Sequence, residues 1–283
     1  MPEGPEVKRT GRGLQRRAGS VITEVTITSG RYTRNPIKDL EKLVGSTLID
    51  VSVKGKLISL HLEKAGDKFG ALSTLGMTGW WNPSYRVPDS RIDKYKRLMM
   101  SFEDGEVGAY FDPRNFGTFK VVTIDEMARK LQELGPDILS IPRTWMTIEV
   151  PQFYERVRRF GKKATVAEAL LDQRIAAGSG NYIRADAMYL ARTAPKRLIS
   201  SLTEKELYRL WRALFAVARS AELDHHPGVD LDDGEHDDLN EELASHPFTN
   251  LVYNRHRSVL GGVVEKYVDK GGRTVWWSPT EQA

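Results

Sequence analysis

The first six residues, Met1-Pro2-Glu3-Gly4-Pro5-Glu6, hold the most distinctive reactive groups of the chain. A proline nitrogen inside a chain is a tertiary amide, but at a terminus it is a secondary amine that can attack carbon and form an iminium ion. An α-amino group titrates near roughly pH 8, so part of it is nucleophilic at neutral pH. Methionine before a small residue is normally removed, and we predict that active protein lacks Met1. Glu3, next to Pro2, could act as general acid or base.

The alternative for this segment is a polar leader that two prolines merely stiffen, because short motifs often occur by chance. The rest of the chain decides between the two interpretations. Another candidate occurs at a turn, where Lys56 follows Gly55. Glycine allows close approach of a ligand there, and lysine can bind phosphate. A solvated hairpin lysine is the alternative.

A second pair of motifs places apolar and cationic side chains on tight turns. Met77 lies between Gly76 and Gly79 in Leu-Gly-Met-Thr-Gly, and Arg114 and Phe116 lie in Asp-Pro-Arg-Asn-Phe-Gly. In a duplex binder, phenylalanine can wedge into the base stack while arginine pairs with an orphaned base. The alternatives are a core role for Met77 and a structural turn with Arg114 in a salt bridge.

The segment from Ala169 to Tyr182 predicts a helix that ends near Gln173, a glycine-containing loop, and a second helix beginning at Asn181. Loop amides and a helix N-terminus form a ready anion site, to which Asn181 can add a side-chain donor. A helix-capping asparagine is the simpler alternative.

Together these motifs resemble the formamidopyrimidine-DNA glycosylase and endonuclease VIII family over nearly the whole chain. The opening Pro2-Glu3-Gly4-Pro5-Glu6-Val7 matches the family's start, and Gly4 in place of leucine resembles the endonuclease VIII branch. The resemblance implies an N-terminal proline nucleophile with Glu3 handling protons and Glu6 supporting the site. It also implies a lysine, here Lys56, that contacts the phosphate beside the lesion.

The same resemblance assigns DNA-binding roles to the remaining motifs. Met77, Arg114 and Phe116 would fill the void left by the flipped base. Asn181 would bind backbone phosphate, with the backbone of Gly178 and Gly180 in support, and Arg273 matches the arginine at the tip of the family's C-terminal finger. Most family members hold that finger with four cysteines and zinc, whereas this chain has no cysteine and resembles the zinc-less finger of Nei-like enzymes. We expect Trp276, Trp277, Val252 and Tyr253 to hold it by packing.

Composition limits these interpretations. The chain has 283 residues, 42 Lys and Arg against 38 Asp and Glu, and a formal charge of +4. The cations form three clusters: Lys8, Arg9, Arg12, Arg16, Arg17; Arg156, Arg158, Arg159, Lys162, Lys163; and Arg255, Arg257, Lys266, Lys270, Arg273. These clusters are compatible both with a side that faces a polyanion and with scattered solubility charges, and composition alone does not separate the two. The absence of cysteine excludes disulfides and cysteine-ligated metal. We expect no metal, no cofactor and a mobile acidic loop over residues 224–247.

The secondary structure predicted to position these groups is mostly β-strand in the first half of the chain and mostly helix in the second half. A helix is predicted over 6–18, followed by strands near 21–27, 47–53, 57–62, 98–102 and 108–111, with a short helix over 35–43. Helices are then predicted over 153–160, 166–173, 181–192 and 204–223, and hairpins over 251–277 with turns at Gly261-Gly262 and Gly271-Gly272. With no signal peptide or membrane span, we expect a soluble, intracellular protein.

We therefore predict a two-domain α+β fold. Residues 1–140 form a β-sandwich catalytic domain with a flanking helix, 141–150 a linker, 151–250 a helical domain with a helix–two-turn–helix, and 251–283 a zinc-less finger hairpin. DNA would lie in a cleft between the domains.

The predicted function is that of a bifunctional DNA glycosylase and abasic-site lyase. It would act as a monomer on duplex DNA that contains oxidised bases or abasic sites. Oxidised pyrimidines are the preferred substrates, by analogy through Gly4 and the finger. The alternatives are an 8-oxoguanine or formamidopyrimidine glycosylase and a non-catalytic DNA-binding protein on the same scaffold.

Overall fold

The computed structural model describes residues 1–140, 149–224 and 248–282. The chain divides into two units. The first contains Met1–Pro2 and Glu6–Glu133, and the second contains Glu3–Pro5 together with the chain from Leu134 onward. The N-terminal segment is therefore shared, because three of its residues make their contacts within the second unit.

The first unit is built on two four-stranded antiparallel sheets. Their strands are β1 (Ile22–Ile27), β2 (Thr47–Lys54), β3 (Leu57–Lys64), β4 (Asp67–Thr74), β5 (Trp80–Asn82), β6 (Lys96–Phe102), β7 (Val107–Phe111) and β8 (Thr118–Thr123). The strand orders are β1-β6-β7-β5 and β2-β3-β4-β8. Buried side chains from both sheets, among them Leu60, Met100 and Tyr110, join one core, as in a β-sandwich.

Helix α1 (Gly4–Gln15) packs one apolar stripe into this core. Val7 and Leu14, which lie seven residues apart and thus on one helix face, are buried. Gly11 faces Val53 so closely that a Cβ there would collide with the valine side chain. Two short helices complete the first unit: α2 (Ser90–Asp93) and α3 (Ile124–Glu133).

The second unit is helical, with a terminal hairpin. Its helices are α4 (Glu149–Phe160), α5 (Val166–Ala169), α6 (Asn181–Leu190) and α7 (Glu204–Leu223), and its strands are β9 (Glu265–Val268) and β10 (Thr274–Trp277). The core gathers side chains from α4, α6 and α7 and also takes in Val275 of the hairpin. The hairpin is thereby anchored to the helices by buried apolar surface.

The predicted α+β fold, with a β-sandwich followed by a helical domain, is confirmed. Helix α7 has the predicted bounds, and Thr203 and Glu206 form the predicted capping box at its start. Strands β4, β5 and β8 and helices α2 and α3 were not predicted from the sequence. Two predicted helices are much shorter in the structure: over 35–43 only a 3₁₀ turn at Leu40–Leu43 forms, and over 166–173 only α5 forms.

Some predictions fall at or beyond the limits of the described chain. Residues 141–148 of the predicted linker lie outside the described residues, while Glu149 and Val150 already belong to α4. Leu134–Ser140, placed in the first domain by sequence, group with the second unit. Of the acidic stretch 224–247, only Asp224 is described. Among the described helices, none has the length and apolar character needed to cross a bilayer.

Candidate active site and nucleic-acid interface

Glu3 is fixed by the beginning of helix α6. Its carboxylate is buried, with 1% of the residue exposed. The backbone N–H groups of Tyr182 and Ile183 donate to its two oxygens at 3.1 and 3.3 Å. The first turn of a helix has unpaired amides and a partial positive charge, which together stabilise an anion. The carboxylate next to Pro2 is therefore held in one place by backbone groups.

Three glycines make this contact possible. A Cβ on Gly180 would fall on the carboxyl group of Glu3. The Gly4 N–H donates to the Gly178 carbonyl at 2.9 Å, and Gly178 has φ +102°, a conformation that favours glycine. Glu3 and Gly4 thus lie directly against the backbone of the loop before α6, and a side chain on Gly180 would block this approach.

The structure changes the expected role of Gly178. Its N–H, which we predicted to support phosphate binding, donates to Oε1 of Gln173 at 2.9 Å. The Gln173 amide nitrogen in turn donates to the carbonyls of Leu171 and Ser179. The side chain of Gln173, predicted only to mark a helix end, therefore links both ends of the loop. Gly178 shapes the loop, and its amide is already used within the protein.

Pro2 is half-buried and directly precedes Glu3. While Met1 is attached, the Pro2 nitrogen is an amide and has no nucleophilic lone pair. Glu6, predicted to support the site, lies in the first turn of α1 and forms a surface ion pair with Arg9 at 3.2 Å. Its contribution to chemistry stays a prediction.

Lys56 lies in the two-residue turn that joins β2 to β3. Lys54 and Leu57 are paired across the hairpin, and Gly55 between them has φ +58°. This is the predicted position, at a point where a glycine lets the chain reverse sharply. The half-buried Lys56 is thus displayed at the end of a sheet.

The structure brings Met77, Arg114 and Phe116 together, while the predicted void-filling role of these residues stays a prediction. Nη1 of Arg114 lies 3.9 Å from Sδ of Met77. A Cβ on Gly76 would collide with the backbone of Phe116 and Gly117, so the two loops touch at this glycine. Phe116 is 58% exposed. An exposed ring beside a cation is a surface feature that core packing does not require.

A buried polar framework shapes the loop that carries Arg114. Asp112 accepts from the Gly117 N–H at 2.7 Å, and Nε of Arg97 donates to the Asp112 carbonyl at 2.9 Å. Asn115 has φ +55°. Arg97, only 5% exposed, is a supporting residue that sequence analysis missed.

Asn181 is the first residue of α6, and Gly180 occupies the N-cap. The amide nitrogen of Asn181 donates to the Thr274 carbonyl at 3.1 Å, and its Oδ1 accepts from Arg184. The capping alternative for Asn181 is therefore wrong: its side chain links the helix to the hairpin. Its neighbour Arg184 was not predicted.

The tip of the hairpin is closed by Asp269. Its Oδ1 accepts from the Arg273 N–H at 2.8 Å, and its own N–H donates to the Arg273 carbonyl at 2.9 Å. Its Oδ2 forms a buried ion pair with Nη1 of Arg184 at 2.8 Å. Burial lowers the pKa of Arg184, while Asp269 opposes this effect. The backbone of Arg273 is thus set by a carboxylate.

The base of the hairpin is held by packing and by a second carboxylate. The rings of Tyr253 and Trp276 lie 4.5 Å apart, and Val252 is fully buried, as predicted for these three residues. Trp277, which we also expected to pack here, is not part of the core cluster, and Nζ of Lys196 lies 5.9 Å from the centroid of its ring. Oδ1 of Asp186 accepts from the N–H groups of Val252 and Tyr253 at 2.9 and 3.0 Å. Burial raises the pKa of Asp186 to about 6, partly offset by these backbone donors.

Within residues 1–140, 149–224 and 248–282, no group of three or more His, Cys, Asp or Glu side chains could hold a metal ion. Four of the six histidines fall in the acidic stretch and lie outside the described residues: His225, His226, His236 and His246.

Comparison with known proteins connects these features. The family model for the formamidopyrimidine-DNA glycosylase N-terminal domain matches residues 1–119, and that for the formamidopyrimidine-DNA glycosylase H2TH domain matches residues 134–226. The formamidopyrimidine-DNA glycosylase of Bacillus cereus is 30% identical over 220 residues, which is 75% of each chain.

Two solved structures share the fold of the chain. The Lactococcus lactis enzyme bound to abasic-site DNA is 24% identical and covers 99% of both chains with a TM-score of 0.77. The same organism's enzyme in complex with DNA containing an oxidised pyrimidine is 23% identical, covers 99% of both chains and gives a TM-score of 0.75. From the two matching family models and the relative, this chain belongs to the formamidopyrimidine-DNA glycosylase and endonuclease VIII family of base-excision repair enzymes.

Proposed function

We propose that the chain excises damaged bases from duplex DNA and cleaves the abasic strand, with Pro2 as nucleophile and Glu3 as its proton donor and acceptor. The observation that carries the proposal is the immobilised carboxylate of Glu3, which is held by two helix amides immediately after Pro2. A catalytic carboxylate must keep one position relative to the reacting atoms. The backbone hold on Glu3 supplies that condition.

In the proposed reaction, Glu3 takes a proton from the Pro2 ammonium group, the free amine attacks C1′, and the base departs with the second proton of the Pro2 nitrogen. Glu3 then gives its proton to the ring oxygen as the bond from that oxygen to C1′ breaks, which leaves an iminium ion between Pro2 and the opened sugar. The iminium acidifies the C2′ proton, and its removal by the Glu3 carboxylate expels the 3′ phosphate. A second elimination releases the 5′ phosphate, and water frees Pro2. Each step uses groups of the protein and the sugar alone, apart from that water.

Contacts with DNA are proposed for two sets of residues. Lys56, Asn181 and Arg273 would bind backbone phosphates, and the Gly180 backbone would support them. Met77, Arg114 and Phe116 would occupy the space of the flipped nucleotide, since extrusion leaves a void and an unpaired base. The contact of Arg114 with Met77 and the exposure of Phe116 support this assignment.

For the lesion, we propose oxidised pyrimidines, because Gly4 and the cysteine-free hairpin resemble the endonuclease VIII branch. The second candidate is a formamidopyrimidine or 8-oxoguanine substrate, which the name of the Bacillus cereus relative favours. We also propose that the hairpin functions without zinc, with packing and the Arg184–Asp269 pair in place of metal ligands.

Borohydride trapping tests the proposal. Protein with a verified Pro2 terminus is incubated with duplexes carrying thymine glycol, 8-oxoguanine or an abasic site, and the adduct is digested and sequenced by mass spectrometry. We expect an adduct on Pro2, formed faster with thymine glycol than with 8-oxoguanine. The reverse order would favour the second candidate. Tight binding of the abasic duplex without any adduct would instead identify a non-catalytic binder.

A further inference from the structure

Arg184 uses all five of its guanidinium donors inside the protein. The donors serve the Oδ1 of Asn181 (3.0 Å from Nε and 2.7 Å from Nη2), the carbonyl of Thr274 (3.4 Å), the carbonyl of Ala167 (2.7 Å) and Oδ2 of Asp269 (2.8 Å). The side chains of Arg184 and Asp269 are 0% and 3% exposed. No donor of Arg184 remains for DNA, so any effect of this residue on binding must pass through its partners.

We propose that Arg184 and Asp269 are positioning residues, a buried pair that places the Asn181 amide and the Arg273 backbone so that both can grip one stretch of DNA backbone. The inference rests on the proposed phosphate-binding roles of Asn181 and Arg273. It adds Arg184 and Asp269 to the residues that control DNA binding, although neither would touch DNA, and it explains why this charged pair is buried.

Arg184 fixes the orientation of the Asn181 amide. Two donors of Arg184 point at one atom of that amide, which must therefore be the oxygen. The nitrogen is then fixed on the other side, where one of its hydrogens goes to the Thr274 carbonyl. An amide nitrogen has two hydrogens, so the second keeps a defined direction. Without Arg184, the amide could rotate and present its oxygen to a phosphate.

Asp269 fixes the backbone at the hairpin tip. Oδ2 of Asp269 is bound to Arg184, which directs Oδ1 to the Arg273 N–H. The Gly272 N–H donates to the Asp269 carbonyl at 3.0 Å, and Gly272 has φ +74°. The carboxylate of Asp269 thus fixes the turn that carries Arg273 to Arg184 on helix α6. The guanidinium of Arg184 also holds the side chain of Asn181, at the start of the same helix.

Stability alone does not call for this pair. Apolar residues of similar volume commonly replace a buried ion pair with no loss of stability, whereas removing one partner is strongly destabilising. The hairpin is already anchored by Val275 and Trp276 in the helical core. The hydrogen bonds of the pair are directional, so they can set the orientation of the Asn181 amide and the Arg273 backbone, which apolar packing cannot do.

The difference between a positioning role and a stabilising role can be tested by measuring DNA affinity and stability in the same variants. We would measure the affinity for a duplex with a tetrahydrofuran abasic analogue across a KCl series, for wild type, Arg273→Ala, the apolar double variant Arg184→Met/Asp269→Leu, and the triple variant. Thermal unfolding is followed in parallel. Arg219→Met, which breaks an ion pair with Glu222 on α7, is the matched control in the same unit.

We expect Arg273→Ala to weaken binding about tenfold and to lower the salt slope by about 0.9, the value for one phosphate contact. The apolar double variant should melt somewhat lower, because the Ala167 carbonyl and Oδ1 of Asn181 lose the donors of Arg184, but it should remain folded at the assay temperature. It should lose affinity to at least the same extent as Arg273→Ala and show the same fall in slope. Adding Arg273→Ala to it should weaken binding by less than about twofold more, because coupled residues are not additive. Arg219→Met should change stability and leave the slope intact.

Three results would count against these assignments, in different ways. If Arg273→Ala alone leaves affinity and slope unchanged, the phosphate role of Arg273 is wrong and the positioning role falls with it. If Arg273→Ala weakens binding while the apolar double variant binds like wild type, only the positioning role is overturned. Fully additive losses in the triple variant would overturn it too, since independent contacts add.

Discussion

The carboxylate of Glu3 fills the space that a Cβ on Gly180 would occupy. Only glycine lets the carboxylate reach the amides of Tyr182 and Ile183 that hold it. The side chain of Glu3 thus fits against Gly180 only because residue 180 has no side chain.

This relationship predicts the effect of Gly180→Ala. The added methyl would push Glu3 off the two amides, so we expect single-turnover excision to slow at least about tenfold, since small misplacements of catalytic groups are costly. Binding of an abasic-analogue duplex should change much less. Gly108→Ala is the control, because a Cβ there meets its nearest atoms at an ordinary 3.6 Å. Normal excision by Gly180→Ala would show that Glu3 needs no fixed position.

Glu3→Gln tests the charge at the same place. The substitution keeps the side-chain size but removes the proton-transfer group, so the excision rate should fall by about 10² to 10⁴. Rapid-quench assays on a thymine glycol duplex would measure it. Glu133→Gln, at an exposed ion pair with Lys130, should retain the wild-type rate. Full-rate excision by Glu3→Gln would remove Glu3 from the mechanism.

Phe116→Ala separates a DNA contact from a structural role. The ring is 58% exposed, so the free energy of unfolding should change by no more than about 0.5 kcal/mol. Affinity for a lesion duplex should fall about tenfold, as expected for the loss of one aromatic stack on a base. Val87→Ala, at another exposed apolar residue (77%), is the control for fluorescence-anisotropy binding. Equal affinities for the two variants would contradict the wedge role.

Asp186 should make the stability of the second unit depend on pH. Its pKa is about 6 in the folded protein, against an ordinary value of 3.8. Between these values the folded protein retains a proton that the unfolded chain has lost. The contribution to stability is therefore present below about pH 4 and decreases as pH rises through about 6, by about 3 kcal/mol in all.

The measurement is the difference in free energy of unfolding between wild type and Asp186→Asn, from urea titrations at about pH 4, 5, 6 and 7. Asparagine does not titrate, so the wild-type value should fall relative to the variant as pH increases. A difference that is constant across the series would mean that Asp186 titrates normally.

Local signals in the sequence accounted for much of this architecture. The capping box at Thr203 fixed the start of α7, and glycine next to lysine marked the β2–β3 turn. The turn motif around Arg114 was recognised from a few consecutive residues, although its contact with Met77 was not predicted. Each of these features is encoded within a few consecutive residues, where propensity and hydrogen bonding are local.

Other features depend on residues far apart in sequence. Arg184 and Asp269 are separated by 85 positions, and neither has a local pattern that marks it as buried. Strand β4 was missed because Asp67-Lys68 and Gly70 interrupt its pattern, although Gly70 is there to admit Met127. Strand β8, Thr-Phe-Lys-Val-Val-Thr, does carry β-branched residues and could have been predicted.

The backbone anchorage of Glu3 and Gly4 bears on how the enzyme should be handled. Residues ahead of them are not needed for these bonds, and Met1 is 45% exposed. A purification tag fused before Met1 would keep the proposed nucleophile, the Pro2 nitrogen, in a peptide bond and would place extra chain where the sugar must approach. Such a fusion should fold but be inactive, so a tag for activity assays belongs at the other terminus.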